Sequence, residues 1–177
     1  MDKLIEKSMS ILISEDLIQS RVKELVEEIS IHYGNQSYTI ISILSGSVYF
    51  SRDLNEEWPH QLVTIGTIGV SSYDGTNQKQ LQLTQNLSVP VKDRHVLIVD
   101  DILDSGRTLA FVKKHILNRQ ACSVKTCVLL RKITSSMSAD FIGFDNIPDD
   151  FVVGYGMDYK GLFRDYPHIG VLNNAIH

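Results

Sequence analysis

The chain has 177 residues, 43% of them hydrophobic and 21% charged, with a net charge of −4. That length suits one ordinary domain with a buried core, and the composition excludes a fibre or a disordered chain. The acidic balance, with no stripe of Lys and Arg, excludes a nucleic-acid binder, whose affinity would come from clustered cations, and leaves a small molecule as the expected ligand.

The opening MDKLIEKSMSILISEDL mixes charges with short apolar runs and has no secretory core, while IISIL and VLIV are too short to span a bilayer. A cytoplasmic protein without membrane contact is expected. Ser14 is placed to cap a helix whose first turn holds Glu15 and Asp16; Ile18, Val22, Leu25, Val26 and Ile29 recur at helical spacing up to about Gly34. Residues 38–44, YTIISIL, have no polar face, as expected of a parallel strand covered on both sides. Ser45-Gly46-Ser47 turns into a short helix over about 48–56. A strand over 61–71 leads through Ser72-Tyr73-Asp74-Gly75-Thr76-Asn77 to a second over 81–87, a long hairpin with a polar, mobile tip.

A strand over 95–101, a helix from Gly106 to about Asn118 and a strand over 123–130 read as a βαβ unit with a right-handed crossover. From Asp140 to Val171 the chain is rich in Gly, Asp and aromatics, with short strands expected at 141–144 and 151–155. Cys122 and Cys127, on one strand, would face opposite sides and could not pair, so buried, reduced thiols are expected. No repeat, linker or low-complexity tract divides the chain, which reads as a single domain.

Open α/β sheets bind ligands beyond the carboxyl ends of their parallel strands. Three motifs fall at such ends: LSGS after residues 38–44, DDILDSGRT after the strand from His95, and Leu130-Arg131-Lys132. VLIVDDILDSGRTL, residues 96–109, crowds Asp100, Asp101 and Asp104 within five positions, which costs stability unless a cation or polyhydroxyl ligand is near. The small residues of Asp104-Ser105-Gly106-Arg107-Thr108 let backbone N–H groups converge at a helix start, a natural phosphate cradle. The pattern GxxxxGK[ST] is absent, which excludes an ATP or GTP site of the P-loop kind. Carboxylates beside a phosphate turn suit a ribose, whose hydroxyls donate to them while a divalent metal offsets the charge. Taken alone, Asp104 would be a helix cap preceded by two solvated acids; strand, acids, cradle and helix in this order favour a sugar phosphate carrying further phosphate.

VLIVDDILDSGRTL closely resembles the signature of the type I phosphoribosyltransferases. ILISEDLI, ILSGS, SSYDGT, LLRK and DFIGFDNIPDDFVVGYGMDYKGLFRDYPHIGVL resemble their hypoxanthine-guanine branch, so the likeness spans nearly the whole chain. It implies an α/β fold with a Rossmann-like central parallel sheet flanked by helices, a small hood subdomain and a mobile hairpin lid. The chain would be one phosphoribosyltransferase domain over 1–177, with the hood from the N-terminal segment and about 140–177. The implied reaction moves phosphoribosyl from 5-phosphoribosyl-1-pyrophosphate to hypoxanthine, and guanine, in a homodimer or homotetramer. The alternatives are a xanthine-preferring relative and a non-catalytic nucleotide-sensing regulator on the same fold.

By resemblance, Asp100 and Asp101 meet the ribose hydroxyls and, with Asp158, Mg2+. Asp104, Ser105, Gly106, Arg107 and Thr108 hold the 5'-phosphate, and Asp104 is also the general base. Ser45, Gly46 and Arg164 take the pyrophosphate. Lys132 reads the 6-oxo group, Phe151 stacks on the purine, Val152 meets its far edge with backbone, and Asp158 borders the same subsite. Ser72 and Tyr73 belong to the lid. Ser45 stands where many members of the branch carry a basic residue.

Overall fold

The computed structural model describes residues 9–58, 63–74 and 79–172. Gln61 and Leu62 at the start of an expected strand, Gly75, Thr76 and Asn77 at the hairpin tip, and residues 1–8 and 173–177 of the expected hood lie outside the described residues.

The first expected helix is α1 (Glu15–Tyr33). The Ser14 side chain accepts a bond from the Leu17 N–H, Glu15 and Asp16 lie in the first turn, and Gly34 follows the last residue. Its stripe of Ile18, Val22, Leu25, Val26 and Ile29 is buried. The YTIISIL run forms β2 (Tyr38–Leu44), which pairs in parallel with β3 (Val63–Asp74) on one side and β5 (His95–Leu103) on the other. Helix α2 (Val48–Glu56) connects β2 to β3. The hairpin partner of β3 is β4 (Lys79–Gln85), antiparallel at the sheet edge. Helix α3 (Arg107–Leu117) joins β5 to β6 (Ser123–Lys132), and β7 (Phe141–Ile147) adds in parallel, giving the order β4-β3-β2-β5-β6-β7.

Period-2 alternation separates two cores. Ile40, Leu97, Val99 and Leu129 face one side with the apolar stripe of α1 and with Phe50 and Leu54 of α2. Ile41, Ile43, Val96, Ile98 and Val128 face the other, against Leu109, Val112 and Ile116 of α3. Helices therefore cover both faces, as the unbroken apolar runs require.

A second, three-stranded antiparallel sheet is formed by β1 (Met9–Ile13), β8 (Val152–Val153) and β9 (Ile169–Leu172), in the order β1-β9-β8. Neither β1 nor β9 was expected. The extended run expected over 151–155 stops at Val153, because Gly154, Tyr155 and Gly156 all take positive φ angles. Cys127 is buried as expected, but Cys122 is exposed because it precedes β6 in the connection from α3. No helix among the described residues is long and apolar enough to cross a membrane.

Candidate active site

From β2 the chain proceeds to β3 on one side, and from β5 it proceeds to β6 on the other, so the strand order reverses between β2 and β5. A crevice opens outside the carboxyl ends at such a point. The Ser45-Gly46-Ser47 turn leaves β2 there, and Asp100 and Asp101 are rungs of β5 beside it. Asp100 and Asp101 both line the crevice beside that turn.

Two adjoining clefts share Gly46, Asp101, Ile102 and Asp104. The first, of about 360 Å³, is the cradle, lined by Asp100, Asp101 and every residue of Asp104-Ser105-Gly106-Arg107-Thr108. Gly106 precedes α3 at φ 74° with no side-chain cap bond, so Asp104 is not the helix cap. Its carboxylate is exposed, and no hydrogen bond from the described residues engages it. The second cleft, of about 310 Å³, gathers Ser45, Gly46, Lys132, Phe151, Val152, Asp158 and Arg164, with Met157. Both volumes suit a small-molecule ligand.

In the second cleft, Lys132 ends β6 with a side chain only 12% exposed, its Nζ 3.2 Å from Asp149 Oδ1. Phe151 lines this cleft, is 47% exposed and packs T-shaped with Tyr159, ring centroids 5.6 Å apart. Arg164 donates from Nη2 to Asp158 Oδ1 at 2.6 Å and from Nη1 to the Gly156 carbonyl at 2.8 Å. The other Asp158 oxygen accepts from the Gly161 N–H. Asp158 is thus turned onto its own loop, and among the described residues no three acidic, His or Cys side chains form a metal-holding cluster.

The acid pair is electrostatically tense. Burial pushes both carboxyls up from the ordinary range, and for Asp100 the charge of Asp101 adds to the effect. Two backbone bonds offset little of this: the Asp101 N–H donates to Asp100 Oδ1 at 3.1 Å and the Ile102 N–H to Asp101 Oδ1 at 2.9 Å. A Cβ on Gly46 would lie 1.8 Å from Asp101 Oδ2, so only glycine lets the turn approach the carboxylate this closely.

Every expected phosphate, pyrophosphate and base residue lines one or both clefts; Ser72 and Tyr73 line neither. They lie near the end of β3, where the Tyr73 hydroxyl donates to Gln80 across the hairpin. Sequence reasoning overlooked Ile102 and Met157 as lining residues, and it overlooked Asp53, a buried carboxylate on α2. Asp53 lies on one helix face with Tyr49 and Phe50, but that spacing alone does not mark it, since its partners Gln19 and Tyr155 come from distant segments.

A phosphate cradle joined to a cleft lined by an aromatic ring and a lysine is how an α/β protein holds a nucleotide or its precursors, and that is the class this fold and site define. Residues 11–160 match the phosphoribosyl transferase domain family. The chain is 37% identical over 172 residues to the hypoxanthine-guanine phosphoribosyltransferase of Bacillus subtilis, covering 94% of both. It is also 37% identical to the bifunctional protein TilS/HprT of Listeria innocua, but there it spans only 26% of the relative's length. The crystal structure of a hypoxanthine phosphoribosyltransferase from Staphylococcus aureus superposes over the whole of both chains with a TM-score of 0.88 at 31% identity. The chain belongs to the phosphoribosyltransferase family, in its hypoxanthine-guanine branch.

Proposed function

We propose that the chain transfers the 5-phosphoribosyl group from 5-phosphoribosyl-1-pyrophosphate to nitrogen 9 of hypoxanthine, and of guanine. The bond from the anomeric carbon to nitrogen 9 forms, the bond to pyrophosphate oxygen breaks, and the configuration inverts. The observation that carries this reading is the continuity of the two clefts through Gly46, Asp101, Ile102 and Asp104, with a phosphate cradle on one side and Lys132 and Phe151 on the other. Asp104, exposed at the shared wall, takes the proton from nitrogen 7 of the purine. Phe151 stacks on the base, Val152 borders its far edge, and Ser45, Gly46 and Arg164 bind the departing pyrophosphate.

A purine-binding hood in this reading is the β1-β9-β8 sheet with the chain around residues 154–168. The β3–β4 hairpin, with Ser72 and Tyr73, closes over the sugar as a lid and excludes water from an oxocarbenium-like centre. The whole works as one domain, assembled as a homodimer or homotetramer. Release of pyrophosphate should be fastest with hypoxanthine or guanine and absent with adenine and uracil. Turnover of xanthine above both would establish the xanthine-preferring alternative, and no turnover with any base would leave the nucleotide-sensing regulator.

The acid pair fits a divalent cation, because a buried carboxylate pair pushed toward protonation is relieved by a positive charge. Asp100 and Asp101 would hold Mg2+, with Asp158 on the pyrophosphate side. When bound, the ion would supply charge neutralisation to the diphosphate. Excess EDTA should abolish activity and added Mg2+ or Mn2+ should restore it; full turnover in the chelator would overturn the metal requirement.

The base contact is separable from the donor contacts. Lys132→Gln removes a charge-assisted hydrogen bond to the 6-oxo group worth about 1.5 to 3 kcal/mol, so the oxopurine KM should rise about 10- to 100-fold. Donor KM should stay within about twofold, because Lys132 lines the second cleft and not the cradle. Equal losses for both ligands would remove the lysine from base recognition.

A further inference from the structure

We propose that Tyr155 and Asp53 are positioning residues for the pyrophosphate end of the site, anchoring the loop that carries Arg164 to α2, the helix that follows the Gly46 turn. The inference rests on the transferase reading above.

Asp53 lies in the interior of α2 and is 4% exposed, a placement that is costly for a carboxylate unless it is fully satisfied. Its Oδ2 accepts from the Tyr155 hydroxyl at 2.6 Å and from Gln19 Nε2 at 2.9 Å, while its Oδ1 accepts from Arg52 Nε at 2.8 Å. Tyr155 is 2% exposed and sits at φ 50°, its ring buried and its hydroxyl on Asp53. The Tyr155 N–H donates to the Tyr166 carbonyl at 2.7 Å. One residue on, Gly156 and Arg164 are tied twice: the Gly156 N–H donates to the Arg164 carbonyl at 2.9 Å, and Arg164 Nη1 donates back to the Gly156 carbonyl.

The same loop touches the pyrophosphate turn. Gly156, at φ 98°, has no room for a side chain, since a Cβ would lie 2.2 Å from the Gly46 carbonyl oxygen. One helical turn before Asp53, Tyr49 donates its hydroxyl to Asp165 Oδ1 at 2.6 Å, directly after Arg164. Two tyrosine–aspartate bonds therefore connect α2 to the loop, one on each side of the Gly156–Arg164 pair. The turn at the start of α2 and the guanidinium across the cleft are the two sides of the pyrophosphate subsite. A strut between them sets their separation, and displacement of either by about 1 Å is expensive for binding and chemistry.

If the bond only stabilised the fold, its loss would lower Tm and leave the ratio of the two Michaelis constants unchanged. The positioning role predicts a selective effect. In Tyr155→Phe, which keeps the ring and loses the hydroxyl, donor KM and the dissociation constant of pyrophosphate should both rise about 3- to 10-fold, the range for one net hydrogen bond. Hypoxanthine KM should stay within about twofold. Tyr49→Phe should shift the same two constants in the same direction, and because that hydroxyl bond lies at the surface it reads the strut even if Tyr155→Phe does not fold. Donor and pyrophosphate constants unchanged in a folded variant, or equal rises for donor and hypoxanthine, would overturn the inference. An unsubstituted chain with neither turnover nor pyrophosphate binding would instead overturn the transferase reading, and the positioning role with it.

Discussion

Asp104→Asn should lower kcat by about 10²- to 10⁴-fold, the usual contribution of a general base, while donor KM changes little. The structure makes this a clean test. The residue before α3 is Gly106, which makes no side-chain cap bond, so asparagine at position 104 disturbs no helix start. The carboxylate is exposed at the wall common to both clefts, within reach of a base on one side and a sugar on the other. The amide keeps the shape and can still accept a hydrogen bond from a ribose hydroxyl or the purine, but it cannot take a proton. Steady-state kinetics at saturating Mg2+, with circular dichroism to confirm the fold, would measure it. A folded Asp104→Asn enzyme with near-unchanged kcat would make Asp104 a solvated acid and send the proton elsewhere.

Much of the central sheet could be read because its signals are local. YTIISIL, VLIVDDIL and the run through Cys127-Val128-Leu129-Leu130 are apolar on both faces, and each emerges as a strand covered by helices on both sides. The phosphate cradle was equally plain, since a strand end, small residues and a helix start are contiguous in sequence. The three-stranded sheet was not. In β1 only Ile13 is buried, and its pairing partner β9 lies near the other end of the chain, so neither strand shows alternation strong enough to declare itself. Asp53 shows the same limit for a side chain. In VYFSRDLNE it looks like any helix acid, and its burial arises only when Gln19 and Tyr155 arrive from remote segments. The ion pair of Asp158 with Arg164 is closer in sequence, yet it too depends on the left-handed turns between them, at Lys160, Gly161 and Phe163.

Gly46→Ala should reduce kcat/KM for the donor by about 10²-fold while leaving hypoxanthine KM nearly unchanged, because a misplacement of about 1 Å in a reacting assembly costs that much. Backbone strain is not the cause: Gly46 is not among the positive-φ glycines, so alanine can adopt its conformation. The cause is the Asp101 carboxylate, whose Oδ2 would lie 1.8 Å and whose Cγ would lie 2.7 Å from the new methyl group. Asp101 cannot yield freely, since its Oδ1 is held by the Ile102 N–H at 2.9 Å. Either the carboxylate rotates away from the ribose or the pyrophosphate turn moves off β5, and both damage donor binding. A double-mutant cycle separates this clash from a general loosening of the turn. In an Asp101→Gly background the obstacle is gone, so Gly46→Ala should there cost at most about twofold beyond the loss already caused by Asp101→Gly. Full additivity of the two substitutions, with both variants folded, would show that the methyl group acts on something other than Asp101 and would remove the close approach of Gly46 to that carboxylate from the design of the donor site.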